Sequence, residues 1–249
     1  MWQLTQSPED EKLRTALANM RYKAITKADI AFLQSKIAGR PTASNITDPS
    51  FRNVSIITGL NVHKDEYNRI GAIRFAEETG QDLVSFYSDD RMSSSTDNPG
   101  RPARGKGNRS TIQSVTGRLC HMLWSTSPSA NDKQILPILT LCKSMPIMIR
   151  SNSATELCIT KGQEGTVYAW IEGVGPFQKP VLEVLFVSLT NPPSEVRLPG
   201  LPPNVVPVIR TAATVVCSLP DDTMVKISRT QVEVVLNFAM TDFASQGKT

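Results

Sequence analysis

Residues 145–170, MPIMIRSNSATELCITKGQEGTVYAW, restrict the possible folds more than any other stretch of the chain. The apolar run Ile147, Met148, Ile149 follows a proline and is short enough for one buried strand. A polar segment leads to Gly162 and Gly165, three apart, just ahead of a second β-rich run at 166–170. Glycine takes φ > 0 without a steric penalty, so this pair suits a tight turn feeding a strand. Three more β-rich runs follow at 181–189, 205–209 and 214–218, with prolines and a glycine between the first two. Short strands spaced this closely predict a small β-barrel or sandwich, not a parallel sheet.

The residues ahead of this module read differently. Ser7, Pro8, Glu9 and Asp10 combine a capping hydroxyl, proline at the first helical position and acids in the first turn. Leu13, Ala16, Leu17 and Met20 then share one helical face. A second helix opens at Thr26, with Asp29 as capping-box partner, carries Ile30, Leu33 and Ile37, and stops at Gly39. Residues 54–58 read as a strand, 62–79 as a helix with Tyr67, Ile70 and Ile73 on its core side, and 83–87 as a strand. That order predicts a βαβ unit in a parallel sheet. From 88 to 110 the composition shifts to Ser, Asp, Asn, Gly, Pro and Arg, as in a loop. This loop holds a basic tract, RPARGKGNR, which reads first as a solvated loop and second as a phosphate-contacting arm. Residues 111–124 read as a short helix, and 225–237 return to β character.

A chain of 249 residues with 40% hydrophobic and 20% charged residues can bury one large core or two small ones. Its net charge of +4 suits a polyanionic partner without demanding one. No apolar run approaches the roughly 18 residues of a membrane span, and the N-terminus lacks a basic-then-apolar leader. An intracellular protein without a membrane partner is expected. Cys120, Cys142, Cys158 and Cys217 show no C-x-x-C spacing and read as reduced thiols. With His63 and His121 as the two histidines, no triad or metal cluster emerges, so no catalytic and no metal-ligating residue is expected. The tripeptide Gly247, Lys248, Thr249 imitates a P-loop, but that motif needs glycine where Asp242 stands.

The order of segments resembles the C-terminal part of a superfamily-1B DNA helicase of the RecD and petite-integration-frequency (Pif-type) group, and within it the helicases of fungal Helitron transposons. QSPEDEKLRTALANMRYKAITKADIAFL resembles the family's Arg-Gln-acid stretch and the amphipathic helix behind it. ITGLNVHKDEYN is similar to its strand ending in Thr-x-x-Asn before a helix. MPIMIRSN and ELCITKGQEGTVYAW resemble the start of an SH3-like barrel inserted in the second motor domain. ISRTQVEVVLNFAMTDFASQGKT resembles the return to that domain, ending in helicase motif V.

The resemblance implies an α/β plus β fold: a partial RecA-like second motor domain with an inserted small barrel. The RecA-like part would be 1–90 and 230–249, with a linker at 91–135 and the barrel at 136–229. Thr58 and Asn61 would donate to phosphate oxygens of single-stranded DNA, and Ser245, Gln246, Gly247 and Thr249 would couple DNA contact to a nucleotide cleft. ATP and magnesium are implied for the full-length family but not for this chain alone, which would need the family's N-terminal helicase domain as partner. A nuclear location follows from the same resemblance. Departures accompany it. The family's γ-phosphate arginine aligns with Thr5, and the His-Lys pair of motif V aligns with Phe243 and Ala244. Two other readings stand beside it. One is a stand-alone nucleic-acid or protein binding module with Trp170, Phe177 and Phe186 as stacking platforms; the other is a non-functional transposon remnant.

Overall fold

The computed structural model describes residues 7–37, 51–52, 54–93 and 112–245. They fall into two compact units, one within residues 1–54 and one within 55–246. The basic tract at 101–109 and the expected site residues Gln246, Gly247 and Thr249 lie outside the described residues, as does Thr5.

The first unit is a helical hairpin. Helix α1 (Pro8–Arg21) starts where the sequence requires: Ser7 Oγ accepts from the Asp10 amide at 3.1 Å. Helix α2 (Lys27–Ser35) begins with a reciprocal capping box between Thr26 and Asp29. Asn19 donates to Asp29 at 2.9 Å and Lys36 pairs with Glu9 at 2.7 Å, so the helices run antiparallel. Ala16 is buried, whereas Leu13, Leu17 and Met20 on the expected apolar face are exposed.

The second unit begins with strand β1 (Ile56–Thr58) and helix α3 (Asn61–Thr79), which ends on Gly80 in the left-handed region. Strands β2 (Val84–Tyr87), β3 (Asp89–Ser93) and β4 (Ile112–Ser114) follow, then α4 (Gly117–Ser125). The barrel-like region supplies β5 (Ile138–Leu141), β6 (Pro146–Ile149), β7 (Glu164–Val174), β8 (Pro180–Leu189), β9 (Val205–Ser218) and β10 (Met224–Val232). The chain returns through β11 (Val234–Leu236), β12 (Ala239–Thr241) and α5 (Asp242–Ser245).

Eight strands form one antiparallel sheet in the order β11-β6-β7-β8-β9-β10-β3-β4. One residue, Glu233, separates β10 from β11, yet β10 lies beside β9 and β11 beside β6. The sheet therefore bends back on itself. The two glycines divide the labour at the start of β7. Gly162 takes φ +93°, and at Gly165 a Cβ would come within 2.6 Å of the Ser188 carbonyl on β8.

Several sequence expectations change. The runs at 205–209 and 214–218 are one strand, β9, because residues 210–213 between them continue the same ladder against β10. Residues 111–124 divide into β4 and α4, and the 91–135 stretch expected as linker carries both. The βαβ expectation is corrected. Strand β1 pairs in parallel with β12, far along the chain, while β2 pairs antiparallel with β5.

Helix α3 also turns the other way. Its buried side is Lys64, Asn68, Gly71, Ala72, Phe75 and Ala76, and the expected core residues Tyr67, Ile70 and Ile73 are 43%, 49% and 38% exposed. The reason is close approach. A Cβ at Gly71 would stand 2.5 Å from the ring of Phe238, and Phe75 meets the same ring at 5.9 Å. Bulky Tyr or Ile side chains on that side would hold the helix away.

Candidate nucleic-acid interface

The parallel pair β1 and β12 is locked in register Ile56↔Ala239, Ile57↔Met240 and Thr58↔Thr241. Asn68 fixes α3 across it: Oδ1 accepts from the amides of Phe238 and Ala239 at 3.0 and 2.9 Å, and Nδ2 donates to the Ala239 carbonyl. Ser55 ties the strand entrances by donating to Asn237 Oδ1 at 3.0 Å. Because the strands are parallel, both carboxyl ends open on one edge. Crevices beyond such ends are where α/β sheets place ligands.

Thr58 closes β1 on that edge, and Asn61 starts α3 three residues later. Ser245 closes the short helix that directly follows β12. The structure thus brings Thr58, Asn61 and Ser245 to one sheet end. Gln246, Gly247 and Thr249 lie outside the described residues. Ser245 Oγ donates to the Asp242 carbonyl at 2.7 Å, and Thr241 Oγ1 accepts from the Ala244 amide at 3.3 Å, so both hydroxyls support the α5 turn. Leu60, which precedes α3, contributes no side-chain cap, leaving the first amides of a 19-residue helix directed at this edge.

The opening turn of α3 is anchored by charge. Lys64 is buried, yet Nζ donates to Asn61 Oδ1 at 3.2 Å and Gln134 Oε1 at 2.8 Å and lies 3.3 Å from Asp65. Burial pulls the Lys64 ammonium below its ordinary pKa, against the opposing attraction of Asp65. Asp65 in turn accepts from Ser127 Oγ and the Ser129 amide at 3.0 Å each. The expected apolar stripe gives no hint that this helix docks through lysine and aspartate.

Among the aromatic residues expected to stack on bases, Trp170 packs edge-on against the core ring of Phe86 at 5.7 Å, and Phe186 is half-buried. Phe177 is exposed, sits at φ +56° and lies about 6 Å from the rings of Trp124 and His121. The sequence reading missed another buried arrangement. Arg229 donates to both carboxylate oxygens of Asp90, at 2.9 and 2.7 Å, with both side chains fully buried. The alternation Ile227, Arg229, Gln231 along β10 carries that information, because all three face inward.

No group of three or more His, Cys, Asp or Glu side chains gathers among the described residues. No helix among the described residues is long and apolar enough to cross a membrane.

The described residues define a mixed α/β fold in which a large, recurved antiparallel sheet adjoins a short parallel pair. That fold is the one seen in part of the Pif1 helicases. The Candida albicans Pif1 helicase superimposes with a TM-score of 0.56 at 15% identity, over 99% of this chain and 47% of that one. Bacteroides Pif1 bound to single-stranded DNA gives 0.51 at 18% identity, over 98% and 42%. A Pif1 helicase from a study of unwinding at forked double-stranded DNA gives 0.51 at 16%, over 98% and 40%. The chain therefore spans less than half the length of each. No family model and no curated protein matches the sequence.

Proposed function

We propose that this chain is the DNA-contacting C-terminal part of a superfamily-1B helicase of the Pif and Helitron type. The reading assigns 1–90 and 230–249 to a RecA-like second motor domain and 136–229 to an SH3-like barrel inserted in it. Thr58 and Asn61 would contact backbone phosphates, with Ser245, Gln246, Gly247 and Thr249 linking that contact to a nucleotide cleft. The cleft's P-loop, ATP and magnesium would belong to an N-terminal helicase domain, leaving this chain without hydrolytic activity of its own. The proposed setting is nuclear, on single-stranded DNA, with no membrane partner.

The observation that supports this reading best is the shared edge. Two segments 182 residues apart, at Ser55 and Asn237, are stitched together so that Thr58 and Ser245 lie at the same end of the parallel pair. The test is fluorescence anisotropy of a labelled oligo-dT with the purified chain, beside an ATPase assay. Binding that weakens as salt rises, without ATP turnover, is expected. Robust turnover, or no binding at low salt, would overturn the reading.

A further inference from the structure

A cavity of about 390 Å³ opens where β6 ends, lined by Asp132, Lys133, Gln134, Arg150, Lys161 and Glu233 among others. Arg150 is the residue immediately after β6, and its backbone amide donates to the Glu233 carbonyl at 2.9 Å. The Gly162 amide returns to the Ile149 carbonyl at 2.8 Å, which brings Lys161 back to the mouth of the same cavity. Gln134 forms another wall and also receives the Lys64 ammonium, so the cavity is continuous with the anchored start of α3. Four cations, Lys64, Lys133, Arg150 and Lys161, converge on this region.

Arg150 differs from the paired arginines of the fold. Arg91, Arg210 and Arg229 each lie within 2.9 Å of a carboxylate. Arg150 is half-buried, forms no ion pair among the described residues and donates once, from Nη2 to the Lys133 carbonyl at 3.2 Å. Its remaining donors form a planar fork that meets no acceptor among the described residues. The nearby acids are already engaged. Glu233 Oε1 accepts from Thr211 at 3.1 Å, Asp132 Oδ1 accepts from the Val216 amide at 3.0 Å, and Asp65 serves Ser127, Ser129 and Lys64. Burial lowers the Arg150 pKa, and Glu233 and Asp65 offset this in part. A second anion would relieve the uncompensated desolvation.

We propose that this pocket binds a phosphate group, with the Arg150 guanidinium as the bidentate donor and Lys161 and Lys133 at its rim. The proposal rests on the nucleic-acid reading above and adds a second phosphate position to it, on the barrel side of α3. The same chemistry admits two sources, a strand phosphodiester or a free phosphate.

The full-length chain tests it in two arms. In the first, labelled oligo-dT is titrated across a salt series with wild type, Arg150→Ala, Arg150→Lys and Lys161→Ala, each checked for a cooperative melt. Losing one phosphate contact should weaken binding by about tenfold and reduce the salt slope by about one in Arg150→Ala. Arg150→Lys should keep the slope but recover affinity only in part, since an ammonium lacks the fork. In the second arm, inorganic phosphate and ATP are added and Tm is followed. A Tm rise in wild type that disappears in Arg150→Ala, with DNA affinity unchanged, assigns the pocket to free phosphate. Folded Arg150→Ala with unaltered DNA affinity, salt slope and phosphate response overturns the pocket and leaves the helicase reading standing. If wild type binds no DNA, that reading falls, and the phosphate arm alone decides the pocket.

Discussion

Cys120 shows how a single buried group records its surroundings. It lies in the smaller of two apolar cores, with Leu123, Trp124, Val215, Cys217 and Ile227. Burial, reinforced by the carboxylates of Asp90 and Asp89, raises its thiol pKa from 9.0 to about 11, while Arg229 opposes the rise. The thiolate is the reactive form, so iodoacetamide at pH 8 should leave Cys120 unmodified in the folded chain and label it once denaturant is added. The linkage has a defined sign. Between pH 9 and 11 the unfolded chain releases this proton and the folded chain retains it, so this group's effect on stability is absent below pH 9 and destabilising as pH climbs to 11. Denaturant titrations at pH 8, 9 and 10.5, with Cys120→Ala as reference, should reveal that decline, and its absence would contradict the buried placement.

At the level of elements, α3 is where sequence and structure diverge most. Its limits were legible: an apolar-periodic run stopped by Gly80, and a helix from Asn61 to Thr79 resulted. Its orientation was not, because the face it buries is made of Asn68, Gly71, Ala72, Phe75 and Ala76, chosen for close approach to Phe238 rather than for apolar bulk. Replacing Ile70 and Ile73 with serine should therefore change stability by less than about 0.5 kcal/mol each, as for ordinary surface positions. Phe75→Ala should cost about 3–5 kcal/mol through the cavity it leaves. Urea unfolding of the three variants checks this, and comparable losses would restore the apolar face to the core. The capping residues Ser7, Thr26 and Asp29 were readable because a cap is local chemistry. The same holds for the turn at Gly162. Thr58 and Ser245 could be placed on one edge only through long-range strand pairing, which no local pattern encodes. The Arg150 pocket escaped notice for the same reason, being assembled from five separate segments.

Considered whole, the second unit is a sheet that curls back on itself and is framed by a parallel pair whose halves stand near the two ends of that unit. Pairings distant in sequence are costly to close and tend to form late. Pulse-labelled hydrogen exchange during refolding should find the β6, β7, β8 and β9 amides protected before those of Ile57 and Thr58. Simultaneous protection would show that the pair helps nucleate the fold.

The same stitch between Ser55 and Asn237 has a bearing on birth as well as on form. A ribosome delivers β1 and α3 long before it delivers β12. Throughout that interval the helix has no Phe238 to receive Gly71, and the edge formed by the two strand ends does not yet exist. The edge proposed to meet a strand is therefore completed only once β12 has emerged and paired with β1.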